Sequence, residues 1–332
     1  MEFEKLLPEC KIDYDISRET TMRVGGKVKY FYRAEAQDKL KNVLELARKN
    51  QVKYIVIGGG SNIIISDNGF EGLVIKNQIS DIVVGNNEVI ADSGIKLAFL
   101  VRRLAEEDLS GLEFLTGIPG TLGGAVFGNA GAFGKSISDV VKSVLVLDSN
   151  GKIHSISNSQ MGFTYRDSNF KKQFSQGNAY NHPVILSVNL KVSPSKKQMV
   201  LRIMENYMRI RKSKEPRFFS CGSFFRNIKI ADHPDLVKAN LPVIEGKIPI
   251  GALLERIGVK DMREGGASVY SGHANWIINK NGRAKAYDIK KMADEIKQKV
   301  RSEFGIVIQE EVVYIGDFKA RKSGFFEKIF KK

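Results

Sequence analysis

Glycine is concentrated in two stretches of this chain, and the first directly follows the apolar run 54–57. It reads Gly58-Gly59-Gly60-Ser61-Asn62. Consecutive glycines can adopt positive φ and turn several N–H groups toward one point, which makes an anion-binding nest. Ser61 and Asn62 add side-chain donors. The stretch is neither a GxGxxG fingerprint nor a P-loop, so taken alone a glycine-rich turn without a ligand fits it as well.

The second stretch, residues 116–134, reads TGIPGTLGGAVFGNAGAFG and has seven glycines in nineteen positions. A solvent-exposed loop would be more polar, and a regular strand or helix would tolerate fewer glycines. The composition fits main chain that passes close to a large flat ligand and its pyrophosphate. Two glycine-rich anion sites separated by a domain's length indicate a dinucleotide.

The periodicity of apolar residues predicts the elements that position these stretches. Mixed helices and strands without a regular βα repeat indicate an α+β fold. Asp38 is expected to cap the first helix. The predicted helices cover 38–50, 97–107, a segment from 198 onward, and 286–303, and the strands cover 54–57, 144–147, 153–156 and 311–315.

Composition narrows the class of protein. The 332 residues allow two or three domains, and no apolar run reaches the length of a membrane span. Two cysteines and an acidic start without an apolar segment predict a reduced, cytoplasmic protein. The net charge of +15 is scattered along the chain, so a solvated surface and attraction of anionic small molecules both stay open, and nucleic acid is not expected. The four histidines have no metal-ligand spacing, so no metal is expected.

Five ordered motifs over about residues 15–316 resemble the UDP-N-acetylenolpyruvoylglucosamine reductase family. The glycine stretch continues as GGGSNIIISDNGFEGLVI, and with 116–134 it is similar to the family's FAD-binding half. Tyr165-Arg166-Asp167-Ser168 resembles YRxS, and residues 222–227, GSFFRN, resemble GSxFxN. The segment 265–305 and the closing EEVVYIG at 310–316 also read like the family's.

The resemblance implies a fold and its division. It predicts a two-lobed FAD-binding module of the PCMH type (vanillyl-alcohol-oxidase-like) and a C-terminal α+β substrate domain. The expected limits are 1–77 and 78–200 for the two lobes, 201–316 for the substrate domain and 317–332 for a basic tail. The protein is expected to be a monomer.

The resemblance also implies a reaction. NADPH would deliver hydride to noncovalent FAD, and a UDP-sugar would then accept hydride at the β-carbon of its enolpyruvyl ether and a proton at the α-carbon. Hydride addition builds negative charge on the α-carbon and the carboxylate, so such a site needs cationic or protonated donors and one positioned acid.

Three residues carry these roles over from the matched motifs. Arg166 would hold the enol carboxylate, because a guanidinium is always charged and forms paired bonds. Ser223 would be the proton donor. Glu311 corresponds to the family's catalytic glutamate; Glu310 stands where many members have proline, and only one of two neighbours on a strand can face the flavin.

The binding residues follow in the same way. Tyr165, Lys214 and Asn227 would contact the UDP-sugar, with Tyr180 as a further candidate. The segment 228–249 is longer than the family pattern and lacks its proline, which leaves the substrate-side contacts open. The residues expected to bind FAD are Gly58, Gly59, Gly60, Ser61, Asn62, Thr116, Gly117, Ile118, Pro119, Gly120, Gly123, Gly124, Asn129, Ala130 and Gly131.

Two alternatives remain. An oxidase of the same flavin fold would often tether its flavin through a histidine near the first glycine loop, but no histidine precedes His154. A basic binding protein that retains only the fold would not need Arg166, Ser223 and Glu311.

The tail Lys319–Lys332 mixes aromatic and basic residues, so either a membrane-surface anchor or a frayed basic end fits it. Membrane contact is expected only there.

Overall fold

The computed structural model describes residues 3–175 and 182–318. Helices and strands are mixed along the chain, which confirms the α+β class. Four helices lie where the periodicity predicts them. Asp38 is not the cap, because the first of these helices begins after Ala36 and Asp38 pairs with Lys41 inside its first turn. The α-helices are Phe3–Leu6, Gln37–Lys49, Leu97–Glu106, Leu122–Phe127, Asn169–Ser175, Lys197–Lys212, Ile250–Arg256 and Ala286–Phe304.

The first sheet has four strands and ends at the first glycine loop. Strand Phe70–Asn77 pairs in parallel with both of its neighbours, and the edge strand Lys11–Asp15 pairs antiparallel with Lys27–Ala34. Helix Gln37–Lys49 buries Leu40, Val43 and Leu44 in the core beside it. Because the apolar strand runs directly into Gly58, the loop is anchored in a buried sheet. The strand order is Lys11–Asp15, Lys27–Ala34, Phe70–Asn77 and Tyr54–Ile57.

The second sheet has five strands, each antiparallel to its neighbours. The predicted pair of strands around the turn 148–151 forms its edge. Helices Leu97–Glu106 and Leu122–Phe127 pack into the core beside this sheet. The second helix is part of the second glycine stretch, so this stretch is anchored in the core. The strand order is Ile153–Ser157, Val141–Leu147, Val184–Lys191, Glu88–Asp92 and Ile82–Val84.

The C-terminal part is a small antiparallel sheet packed on helix Ala286–Phe304. The apolar face of this helix is fully buried, and Gly305 ends it at a φ of 69°. Its start is capped from elsewhere: the Asp67 carboxylate accepts bonds from the Ala286 and Tyr287 N–H groups, both at 2.9 Å. The strand order is Phe219–Ser220, Ile277–Asn279, Ala267–Val269 and Arg263–Glu264.

A strand from the C-terminal part of the chain pairs with a strand from the N-terminal part. Strand Val313–Ile315 pairs in parallel with Ile63–Ile65, immediately after the first glycine loop. This strand is shorter than the predicted 311–315. The remaining short strands pair as Leu109–Ser110 with Ser193–Pro194, Gly131–Ala132 with Lys135–Ser136, and Ile228–Lys229 with Lys247–Ile248.

The domain limits predicted from the sequence stay a prediction. Tyr180 and the tail 319–332 lie outside the described residues. Within the described ranges, none of the helices has the length and apolar character needed to cross a membrane.

Candidate active site

A cleft of about 660 Å³ is walled by both glycine-rich stretches. Its volume falls within the range of ligand sites. Two of the predicted contacts lie behind the wall instead: Thr116 is buried, and the Asn129 side-chain amide donates to the Thr164 carbonyl at 2.8 Å. The predicted residues that line the cleft are Gly58, Gly59, Gly60, Ser61, Asn62, Gly117, Ile118, Pro119, Gly120, Gly123, Gly124, Ala130 and Gly131.

The two glycine loops touch each other, which explains part of their composition. A Cβ on Gly59 would come within 2.6 Å of the Gly120 Cα atom. Gly60 has a φ of 68°, and a Cβ there would lie 2.0 Å from the Glu19 carbonyl oxygen. These glycines are therefore needed for loop packing whether or not a ligand is bound.

Gly124 is different, because a Cβ there would meet only the Thr121 Oγ1 atom, at 3.5 Å. That is an ordinary contact, so the space beside Gly124 belongs to the cleft. A side chain would fill this space. The open cradle at Gly124 and the main chain at Gly58–Gly60 fit a large flat ligand with a pyrophosphate.

The side chains of Ser61 and Asn62 act differently from the prediction. The Ser61 hydroxyl donates to the Pro119 carbonyl at 2.8 Å, and the Asn62 amide donates to the Glu311 carbonyl at 3.1 Å. Both side chains therefore join the first loop to another wall of the cleft. Any anion nest here depends on main-chain N–H groups.

Arg166, Ser223 and Glu311 all line this cleft. The Arg166 Nε atom lies 2.7 Å from Glu311 Oε1, and its Nη2 atom donates to the Gly131 carbonyl at 2.6 Å. Arg166 has a φ of 56°, in a turn closed by paired main-chain bonds between Thr164 and Asp167. This tight turn aims the guanidinium into the cleft.

Ser223 follows Gly222, whose φ of 78° turns the chain just after strand Phe219–Ser220 of the small C-terminal sheet. The residue is exposed, and it faces the cleft in which the Arg166–Glu311 pair lies. A hydroxyl, a guanidinium and a carboxyl therefore share one cavity. This set can supply a proton and stabilise a developing carboxylate-type charge.

The ambiguity between the two adjacent glutamates is resolved by their partners. Glu310 pairs with Lys297 on helix Ala286–Phe304 at 2.8 Å, away from the cleft. Glu311 points the other way, toward Arg166. The expectation that neighbouring side chains diverge is correct, although the regular strand begins only at Val313.

Burial raises the pKa of the Glu311 carboxyl, and this effect outweighs the nearby cations Arg166, Lys171 and Arg226, which lower it. The side chain keeps 18% of its surface exposed, toward the cleft. The carboxyl therefore holds a proton to higher pH than an ordinary glutamate. This is the state in which it can donate a hydrogen bond.

Of the predicted substrate residues, Tyr165 and Asn227 are neighbours. The main chain of Asn227 lies close enough to Tyr165 to lower the pKa of its phenol, although burial, which raises that pKa, is the larger influence. The Asn227 side chain accepts a bond from the Ile250 N–H at 3.1 Å, so it also braces helix Ile250–Arg256. Lys214 is exposed, and it does not belong to the described lining of the cleft.

Sequence reasoning missed two lysines. Lys247, at the end of the long segment 228–249, lies with its Nζ atom 4.5 Å from the Tyr165 ring centroid. Lys171 donates from Nζ to the Glu311 carbonyl at 2.7 Å. Lys171 is five residues after Arg166. Its burial distinguishes it from an ordinary surface lysine, and the sequence does not reveal that burial.

Comparison with known proteins defines the class first. A family model described as an FAD binding domain matches residues 28–157, which include the first glycine loop and the whole second stretch. A model for the UDP-N-acetylenolpyruvoylglucosamine reductase C-terminal domain matches residues 214–315. The chain is thus a flavoprotein with an FAD-binding domain followed by this C-terminal domain.

Whole-chain relatives identify the family. A UDP-N-acetylenolpyruvoylglucosamine reductase of Clostridioides difficile is 34% identical over 93% of this chain and 94% of its own length. One from Solibacter usitatus is 35% identical over 91% of this chain and 95% of its own length. The crystal structure of the Thermus caldophilus enzyme aligns with a TM-score of 0.71 at 28% identity, over 93% of this chain and 98% of that one. The chain belongs to the UDP-N-acetylenolpyruvoylglucosamine reductase family.

Proposed function

We propose that this protein reduces UDP-N-acetylenolpyruvoylglucosamine to UDP-N-acetylmuramate with NADPH. The observation that carries the proposal is the convergence of Arg166, Ser223 and Glu311 on a cleft walled by two glycine-rich loops. Family membership supports the substrate, because the relatives bear the name of this reductase. Bound FAD would supply the two-electron carrier between NADPH and the enolpyruvyl β-carbon.

The protein's own side chains act at the α-carbon of the enolpyruvyl group and at its carboxylate. Hydride arrival at the β-carbon puts negative charge on the α-carbon and its carboxylate. Arg166 and a protonated Glu311 stabilise this charge, one by its fixed cation and one by a hydrogen bond. Ser223 then donates a proton to the α-carbon, which completes the lactyl ether. The C=C bond is lost, and one hydride and one proton are gained.

Main-chain N–H groups of the two glycine stretches hold the cofactor in this proposal. Gly124 provides room for the flat part of the ligand, and Gly58–Gly60 provide the anion nest. Tyr165, Asn227 and Lys214 stay candidates for the UDP-sugar. Of these, Tyr165 has the strongest support, since it adjoins Arg166, whose guanidinium lies 5.2 Å from its ring centroid.

The finer cellular assignments are also proposals. A cytoplasmic monomer fits a nucleotide-sugar reductase whose described helices include no membrane span. Contact with a membrane surface would depend on the basic tail 319–332.

The sharpest test separates the two half-reactions with Ser223→Ala. Reduction of bound FAD by NADPH needs no carbon protonation, so it should proceed at the parent rate. Reoxidation by the UDP-enolpyruvyl sugar should slow by at least about a hundredfold, because a positioned acid contributes about 10²–10⁴-fold. Stopped-flow absorbance measures both steps. In D₂O, the product should carry solvent deuterium at the α-carbon.

Two outcomes would count against this assignment. If the Ser223→Ala variant reoxidises at the parent rate, then Ser223 is not the donor. If the parent protein itself, reduced by NADPH, is not reoxidised by the UDP-sugar, then the proposed substrate is wrong.

A further inference from the structure

Lys171 is a buried lysine beside the proposed catalytic carboxyl. It lies in helix Asn169–Ser175 with 5% of its surface exposed. Its Nζ atom donates to the main-chain carbonyl of Glu311 at 2.7 Å. An ammonium group buried to this extent is costly unless nearby groups compensate for the lost water.

The groups that face Lys171 explain how it is tolerated. The Asp167 carboxylate favours its charge, as does Glu311 when it is ionised, whereas Arg166 and Arg226 oppose it. Burial is the largest influence and lowers the pKa of Lys171 to about 8. The lysine is therefore still mostly protonated at neutral pH. A neutral side chain would avoid this cost, so the position has a use for the charge.

The main chain of Glu311 is held from three parts of the chain. Its carbonyl accepts bonds from Asn62 in the first glycine loop and from Lys171, and its N–H donates to the Phe224 carbonyl at 2.8 Å. Of these partners, Lys171 is the one that carries a charge. Arg166 holds the side chain of the same glutamate.

Arg166 and Lys171 come from one short, tightly bonded segment. The Ser168 hydroxyl donates to the Phe127 carbonyl at 2.7 Å and accepts a bond from the Lys171 N–H at 3.3 Å. This serine fixes the start of the helix against the second glycine stretch. The segment therefore places one cation on the carboxyl of Glu311 and another on its main chain.

We propose that Lys171 is a positioning residue for Glu311, which fixes its main chain and places a buried positive charge behind its carboxyl. The inference rests on the proposed function, since Glu311 matters only if its carboxyl acts on the substrate. Lys171 contacts neither the substrate nor the flavin in this proposal. Its effect on rate should appear in the second half-reaction, through the position of the Glu311 carboxyl, and its charge should also affect the pH at which that carboxyl ionises.

The test compares Lys171→Met, Lys171→Arg and Lys172→Met in flavin-loaded enzyme. Methionine removes the charge and the bond, whereas arginine keeps a charge. Lys172 is the matched control, because it is next in the helix and its Nζ atom approaches the Gly162 carbonyl at 3.5 Å rather than Glu311. Lys171→Met should slow reoxidation by the UDP-sugar at least about tenfold, as expected for loss of a charge-assisted bond. Reduction by NADPH should be unchanged.

The pH profile distinguishes positioning from general damage. A nearby positive charge lowers a carboxyl pKa, so its removal should move the alkaline limb of reoxidation upward by about one pH unit. Lys171→Arg should keep the limb near its parent position, and Lys172→Met should match the parent in rate and profile. An infrared titration of the protonated Glu311 band, identified by its absence in Glu311→Gln, should show the same shift without turnover.

An unchanged limb and infrared titration in Lys171→Met would overturn the proposal. So would an equal upward shift in Lys172→Met. If Lys171→Met fails to retain flavin, Lys171→Gln, which is also uncharged, takes its place under the same criteria. Failure of the proposed function looks different, because the parent enzyme would then not be reoxidised by the UDP-sugar at any pH.

Discussion

Enlarging Gly124 should weaken flavin binding while it leaves the fold intact. Gly124 lies in helix Leu122–Phe127 and lines the cleft. Its Cβ would be in ordinary contact with Thr121 only, so alanine and leucine both fit the helix at this point. Glycine costs up to about 1 kcal/mol relative to alanine within a helix, so neither change should lower the stability of the flavin-free protein.

The two substitutions differ in how far they enter the cleft. Gly124→Ala adds one methyl group, whereas Gly124→Leu adds a larger side chain that we expect to extend into the cleft that Gly124 lines. Forcing extra atoms into a filled site costs about 1–3 kcal/mol, which corresponds to an affinity loss of about 5- to 150-fold. Gly124→Leu should reach the upper end of this range, and Gly124→Ala should fall below it.

The assay is a fluorescence titration of flavin-free protein with FAD, together with thermal unfolding of the same samples. The expected result is weak FAD binding by Gly124→Leu at an unfolding midpoint no lower than that of the parent. If Gly124→Leu binds FAD as tightly as the parent, the space beside Gly124 is not the flavin site and the reasoning fails.

Two further predictions concern the carboxyl and the tail. Because burial raises the pKa of Glu311, its neutral form persists to higher pH than in an ordinary glutamate, and reoxidation by the UDP-sugar should fall as pH rises through that pKa. Glu311→Gln should be slower overall and should lack this alkaline limb in stopped-flow profiles; a retained limb would assign it to another group. Full-length protein should sediment with anionic vesicles more than a 1–317 truncation, and both should turn over equally. Equal sedimentation would end the anchor hypothesis.

The features that could be predicted from the sequence were those encoded by a few consecutive residues. The glycine run at 58–60 marks a loop that lines the cleft, and the motif around Arg166 marks a cation that also lines it. Strand geometry predicted that the two adjacent glutamates diverge, and the motif resemblance selected Glu311, even though the regular strand begins two residues after it.

The features missed depend on distant partners. Asp67 caps a helix that begins 219 residues later, and no local pattern indicates this. Asn62 looks like a ligand donor within its loop, but its side chain bonds to Glu311 at the far end of the chain. In the sequence, Lys171 resembles a surface lysine. Its burial results from the packing of distant segments, and the residues next to it in the sequence do not indicate it.

The return of the last strand to the first glycine loop has a consequence for the order of assembly. Asn62 and Glu311 are 249 residues apart, so their contact closes a very long loop of chain. During synthesis, both glycine loops and Arg166 leave the ribosome well before Glu311 does. A nascent chain therefore has both glycine loops before it has the carboxyl that pairs with Arg166. In the proposed mechanism, reduction of the UDP-sugar therefore requires synthesis to have passed Glu311, long after both glycine loops have been made.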